Sequence, residues 1–184
     1  TDAPVLARIT GDCPFVDSRL LDDMIRQFND HDIDYLTNSV PPTYPDGLDV
    51  EIFNRESLLL ADVECNDPIQ REHVTPWMRE SGRCRLGRKQ HQFDCSSMRW
   101  TVDEPEDLQV IRSVVDYFEG SSDFAWEQVL ELAQQQPNLF SLNARFARNE
   151  GATMGEGQKL WRRAKRVIPG GNMLLSKRPE MFLP

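Results

Sequence analysis

An α/β fold with a largely parallel sheet is the class this sequence predicts, and three observations carry the prediction. Short apolar runs recur at 5–10, 34–38, 48–53 and 99–102, the length of buried strands. Between them lie stretches with helical periodicity. The helix starts are marked by residues suited to them, Asp17 as an N-cap and Pro105 at a first helical position. Strands alternating with helices bury both faces of a sheet.

The elements follow in order. The run 5–10 ends at Gly11-Asp12, as a strand does on reaching a loop. After Asp17, Leu20, Leu21, Met24, Ile25 and Phe28 fall on one helical face. A second strand at 34–38 leads to Pro41-Pro42-Thr43-Tyr44-Pro45-Asp46-Gly47, a loop stiffened by its prolines and turned by Asp-Gly. A strand at 48–53 feeds a helix at 55–64, and a further helix covers 69–79. The stretch 81–97 is polar and carries no clear period. A strand at 99–102 ends at Asp103, a long helix runs from Pro105 to about residue 118, and a last one spans 123–136, closed by Pro137. The polar, glycine-containing stretch 141–157 reads as a linker, and a short basic helix at 158–167 is broken by Pro169-Gly170-Gly171.

Composition narrows the function. The 184 residues suit one domain plus an appendage, and 39% apolar residues suffice for a core. A net charge of -9 argues against nucleic-acid binding, which needs a basic face. The charge is uneven: Arg145, Arg148, Lys159, Arg162, Arg163, Lys165, Arg166, Lys177 and Arg178 make the end basic, which suggests two segments of different origin. Cys13, Cys65, Cys84 and Cys95 have no CxxC spacing, so reduced thiols in a cytoplasmic protein are expected. No apolar run is long enough for a membrane span. The chain opens almost directly on a strand and so reads as a piece of a longer protein.

Asp12 and Asp103 each stand just past a strand, where open α/β sheets gather ligands. Together they would hold Mg²⁺, which takes one or two carboxylates and leaves positions for water and phosphate. Other readings stay open at this point. Gly11-Asp12 also suits a simple turn, and Asp103 with Glu106 approximates a capping box.

Four strings in order carry a resemblance. They are Arg8-Ile9-Thr10-Gly11-Asp12-Cys13-Pro14-Phe15-Val16-Asp17, Tyr44-Pro45-Asp46-Gly47-Leu48-Asp49-Val50-Glu51, Arg71-Glu72-His73-Val74-Thr75-Pro76, and Arg99-Trp100-Thr101-Val102-Asp103 continued by Glu104-Pro105-Glu106-Asp107-Leu108. This set resembles the cytidylyltransferases of spore coat polysaccharide synthesis, which are similar to CMP-3-deoxy-manno-octulosonate and CMP-sialate synthetases. The resemblance implies a Rossmann-like, three-layer nucleotidyltransferase domain, usually dimeric, that uses Mg²⁺, CTP and a sugar and releases pyrophosphate. It implies Asp12 and Asp103 as catalytic metal ligands. Asp46, Gly47 and Asp49 match a loop near the sugar. Arg8, Arg71, His73 and Arg99 are further substrate-binding candidates, with structural ion pairs as the alternative for the arginines and packing for His73. Trp77 and Trp100 are expected in the core. The family's opening phosphate loop, Arg-x-x-Ser-x-Arg-Leu-Pro-x-Lys, has no counterpart here, so residues 1–140 are expected to be the C-terminal part of the domain. Such a part would be inactive alone, with an exposed sheet edge.

The run Leu160-Trp161-Arg162-Arg163-Ala164-Lys165-Arg166-Val167-Ile168-Pro169-Gly170-Gly171 resembles the opening of glutamate-1-semialdehyde aminomutases and related class III aminotransferases. That resemblance implies a fused enzyme over 158–184 and beyond, whose pyridoxal phosphate (PLP) lysine would lie in the absent remainder. The rival function is a non-catalytic remnant that docks or dimerises the aminotransferase.

Overall fold

The computed structural model describes residues 2–121 and 123–148. The aminotransferase-like run and most of the expected linker lie outside them. The chain divides into a unit Thr1–Phe146 and a second unit Ala147–Pro184; the first carries the sheet and its flanking helices.

Its sheet has four strands, β1 (Val5–Arg8), β2 (Tyr35–Thr37), β3 (Glu51–Asn54) and β4 (Leu86–Arg88), in the order β1-β3-β2-β4. β3 is antiparallel to both β1 and β2, while β2 and β4 are parallel. Three strands thus run one way and β3 runs against them. The α/β class holds, but the sheet is mixed where a largely parallel one was expected. The cause is the connection from β2 to β3. It contains no helix, and a reversing loop makes an antiparallel neighbour where a parallel one needs a crossover.

Side-chain alternation gives three layers. Leu36 and Ile52 face a core with Phe15, Leu20, Met24, Phe28, Trp100, Val114 and Val129. Tyr35 and Phe53 face the other way, onto Ala61, Cys65, Trp77 and Met78. Helices α1 (Ser18–Asp30), α5 (Pro105–Tyr117) and α6 (Trp126–Gln135) supply the first core, α2 (Arg55–Glu64) and α4 (Pro76–Glu80) the second. Trp77 and Trp100 are buried as expected.

Asp17 caps α1, its Oδ1 accepting from Arg19 N–H at 2.7 Å and Leu20 N–H at 3.2 Å. Its Oδ2 accepts from Trp126 N–H at 3.0 Å, so one carboxylate holds the starts of α1 and α6. The helix expected over 69–79 is two short ones, α3 (Pro68–His73) and α4, because Val74 turns to φ 68 between them. Prolines begin both, at the position where a missing N–H costs nothing. β4 falls in the stretch that the sequence leaves without a period. It is a three-residue edge strand ending in arginine, the charged kind that resists further pairing.

The strand expected at 99–102 is not part of the sheet. Arg99 instead forms a single parallel bridge with Asp46: Asp46 N–H donates to Met98 O at 2.9 Å and Trp100 N–H to Asp46 O at 2.6 Å. Its partner is a loop, so the ladder cannot extend. Gly47 makes this approach possible. Its φ is +103°, and a Cβ there would lie 2.5 Å from the carbonyl carbon of Trp100.

Candidate active site

The strand directions place the carboxyl ends of β1, β2 and β4 and the start of β3 on one edge. The loop after β1 carries Asp12, half-buried. Its backbone oxygen accepts from Val102 N–H at 2.9 Å and from Thr101 Oγ1–H at 3.2 Å. These bonds tie the Asp12 loop to the run that ends in Asp103. The two expected metal ligands are therefore brought together by backbone contacts between segments distant in sequence.

Asp103 does not cap α5. The N-cap is Glu104, and Asp107 closes the turn, its Oδ2 accepting from Asp103 N–H at 3.0 Å and Glu104 N–H at 2.8 Å. The carboxylate of Asp103 instead takes a hydrogen bond from Arg99 Nη2 at 3.0 Å. Burial pushes the Asp103 carboxyl above its ordinary range; Arg99 opposes this, and the nearby charge of Asp12 adds to it. Two carboxylates on touching loops are a donor set that suits a hard divalent cation. Among the described residues no group of three or more His, Cys, Asp or Glu is placed to hold a metal. A cation held here would complete its shell with water or phosphate oxygens.

Arg99 is the hub behind this pair, its side chain only 6% exposed. It donates to Asp107 from Nε at 2.9 Å and Nη2 at 2.8 Å, to Asp46 at 3.4 Å and to Asp103 at 3.0 Å. Asp107 is fully buried. Burial alone would raise its carboxyl, but bonds from Arg99, Asn143 and the backbone of 103 and 104 hold it below the ordinary value. Asn143 Nδ2 donates to Asp107 at 2.9 Å and to Arg99 O at 3.0 Å, and the Phe146 ring lies 5.6 Å from the Arg99 guanidinium. The stretch read as a linker thus begins with residues packed against the site.

Of the other expected site residues, Asp46 and Gly47 are joined to this hub through the bridge described above. Asp49 is half-buried beside Cys13, whose thiol is pushed up to about 11 by burial, with smaller contributions from the charges of Asp12 and Asp49. Arg8 donates to Glu51 at 2.5 Å at the end of β1. Arg71 is spent elsewhere: it donates to Asp62 Oδ1 at 2.8 Å and to the carbonyls of Asp62 and Cys65 at the end of α2. His73 ends α3, half-buried, with its carbonyl accepting from Thr75 N–H. No contact brings either to the aspartates among the described residues. Asp107, Asn143, Glu51 and Arg79 belong to the edge but are not sequence expectations. The first and third lay inside matched strings; Asn143 and Arg79 carried no signal.

The chain matches no protein-family profile. It is 28% identical over 140 residues to the spore coat polysaccharide biosynthesis protein SpsF of Bacillus subtilis (strain 168), covering 73% of this chain and 56% of that protein. It is also similar to a solved cytidylyltransferase from Leptospira borgpetersenii serovar Hardjo-bovis (strain JB197), with a TM-score of 0.72 and 31% identity over 76% of this chain and 59% of that one. The chain therefore has the α/β fold of a solved cytidylyltransferase while spanning a little over half the length of the relatives it matches, 56% and 59%.

Proposed function

We propose that this chain is the metal- and sugar-binding part of a nucleotidyltransferase that joins CTP to a sugar, giving a CMP-sugar and pyrophosphate for polysaccharide synthesis. One observation carries the reading: the Asp12 and Asp103 loops are bonded to each other at the ligand-gathering edge of the sheet. Similarity to a spore coat polysaccharide protein and to a solved cytidylyltransferase supports the same class.

Asp12 and Asp103 would hold Mg²⁺, which supplies neutralisation of charge at an α-phosphate. The rest is positioning. Arg99 fixes Asp103 and Asp46 from behind, Gly47 lets the 45–49 loop close onto Trp100, and Asp46 and Asp49 line the approach where a sugar hydroxyl would be oriented. Four free cysteines suit a cytoplasmic enzyme, and a homodimer is the expected assembly.

The experiment is pyrophosphate release by the parent open reading frame with CTP, Mg²⁺ and a panel of sugars, beside its Asp12→Asn form and this 184-residue chain. Release by the parent alone supports the reading. Full activity in Asp12→Asn overturns the metal assignment.

A further inference from the structure

Glu51 opens β3 and faces Arg8 across to β1 and Thr37 across to β2. Its side chain is 6% exposed. Three donors from three elements converge on it: Arg8 from β1 to Oε2, the Tyr35 hydroxyl from β2 to Oε1, and Arg79 from α4 to Oε1 at 3.5 Å. One guanidinium and the phenol would satisfy a buried carboxylate. The second guanidinium leaves an unbalanced positive charge in a partly desolvated place, which is costly unless something negative arrives.

Both arginines remain reachable, with side chains 33% and 27% exposed. Each spends one terminal nitrogen on Glu51, and neither side chain has another hydrogen-bond or ion-pair partner among the described residues. A guanidinium has five N–H donors in a planar fork, so most of both forks is left. The register puts the cluster at the same strand edge as Asp12, which lies in the loop after β1.

We propose that Arg8 and Arg79, brought to one carboxylate by Glu51, form a binding site for a single compact oxyanion, a carboxylate or phosphate group carried by a molecule entering this edge. Guanidinium forks suit both groups because they pair with two oxygens at once. The inference rests on the substrate-edge reading above. Glu51 is a positioning residue: it sets the spacing of the forks and stays behind them.

The test is calorimetric titration of the 184-residue chain, without divalent metal or nucleotide, with pyrophosphate and separately with pyruvate. The expected result is one equivalent bound, with affinity falling about tenfold in Arg8→Gln and in Arg79→Gln, since each removes a charge-assisted bond. Arg83→Gln, in an exposed pair with Glu64, should bind as the wild type does. Arg79→Lys keeps charge without the fork and should recover part of the loss, with melting curves to show that each variant is folded. Tighter pyrophosphate assigns the anion to a phosphate; tighter pyruvate assigns it to a carboxylate. Binding of neither probe, or binding unchanged in Arg79→Gln, overturns the site. With metal and nucleotide absent, this outcome is independent of whether CTP is turned over.

Discussion

Arg99 meets Asp107 edge-on, donating from Nε at 2.9 Å to one carboxylate oxygen and from Nη2 at 2.8 Å to the other. The pair is buried, and Asn143 and two backbone N–H groups complete the carboxylate's shell. This arrangement fixes the angle at which Asp103 leaves the start of α5. Asp107→Ala leaves Arg99 with a poorly compensated buried charge. Removing one partner of such a pair costs about 3 kcal/mol. The expectation is a loss of that size in urea unfolding, with weaker divalent-cation binding where the variant stays folded. Unchanged stability would show that Asp46 and Asp103 suffice to hold Arg99.

The sequence made much of this legible, and its gaps have physical causes. Asp12 follows a strand of the sheet, as its sequence suggests, whereas the run before Asp103 joins no strand; the two loops meet through bonds from Val102 and Thr101 to Asp12. The helix of 105–117 was visible through Pro105 and its apolar period. Strand pairing was not, since direction depends on where the 38–50 loop returns, and nothing local encodes that. The run at 99–102 has strand-like residues but only the Asp46 loop to pair with. Asn143 sits in a polar stretch, and its burial arises from α5 and Arg99 rather than from its neighbours.

Asn143→Ala tests that last point. The change removes the donor to Arg99 O and to Asp107 Oδ1, both buried. Leaving a buried acceptor short of a partner costs about 1–3 kcal/mol. Chemical denaturation should show a loss in that range, although the substitution lies in the stretch that composition alone reads as a linker. A neutral result would mean that water replaces the amide.

Gly47→Ala should be damaging beyond its size. The positive φ disfavours any Cβ by about 1–2 kcal/mol, and the added atom would lie 2.5–2.7 Å from backbone atoms of Trp100 and Thr101. Backbone cannot step aside as a flexible side chain does, so the Asp46–Arg99 bridge must open. The expected outcome is a lower melting temperature with altered near-ultraviolet dichroism from Trp100. A variant with the wild-type spectrum and stability would show that the two loops separate cheaply.

Asp17→Ala should loosen two helices at once, because separate oxygens serve Arg19 and Leu20 in α1 and Trp126 in α6. One lost cap costs about 1 kcal/mol, so the combined loss should exceed that figure. Asp17→Asn keeps an acceptor for α1 and should recover part of it. Hydrogen exchange at the first turns of α1 and α6 is the direct measurement; protection lost in α1 alone would detach α6 from this residue.

The acid side of the stability curve should carry the signature of Asp34. Its carboxyl is held down to about 2 from the ordinary 3.8, mainly by the Arg85 side chain, whose hydrogen bonds outweigh the opposing effect of burial, with further help from Arg85 N–H and Asn54. A folded-state value below the unfolded one means that the unfolded chain takes up the proton first. The stabilisation is therefore complete above about pH 4 and drains away as pH falls towards 2. The size is modest, because Arg85 is 54% exposed and solvent and salt screen the pair. Urea midpoints of the wild type and Asp34→Asn should differ at pH 6 and converge as the pH drops through this window. A gap that stays constant to pH 2 would assign the effect of the substitution to lost hydrogen bonds rather than to charge.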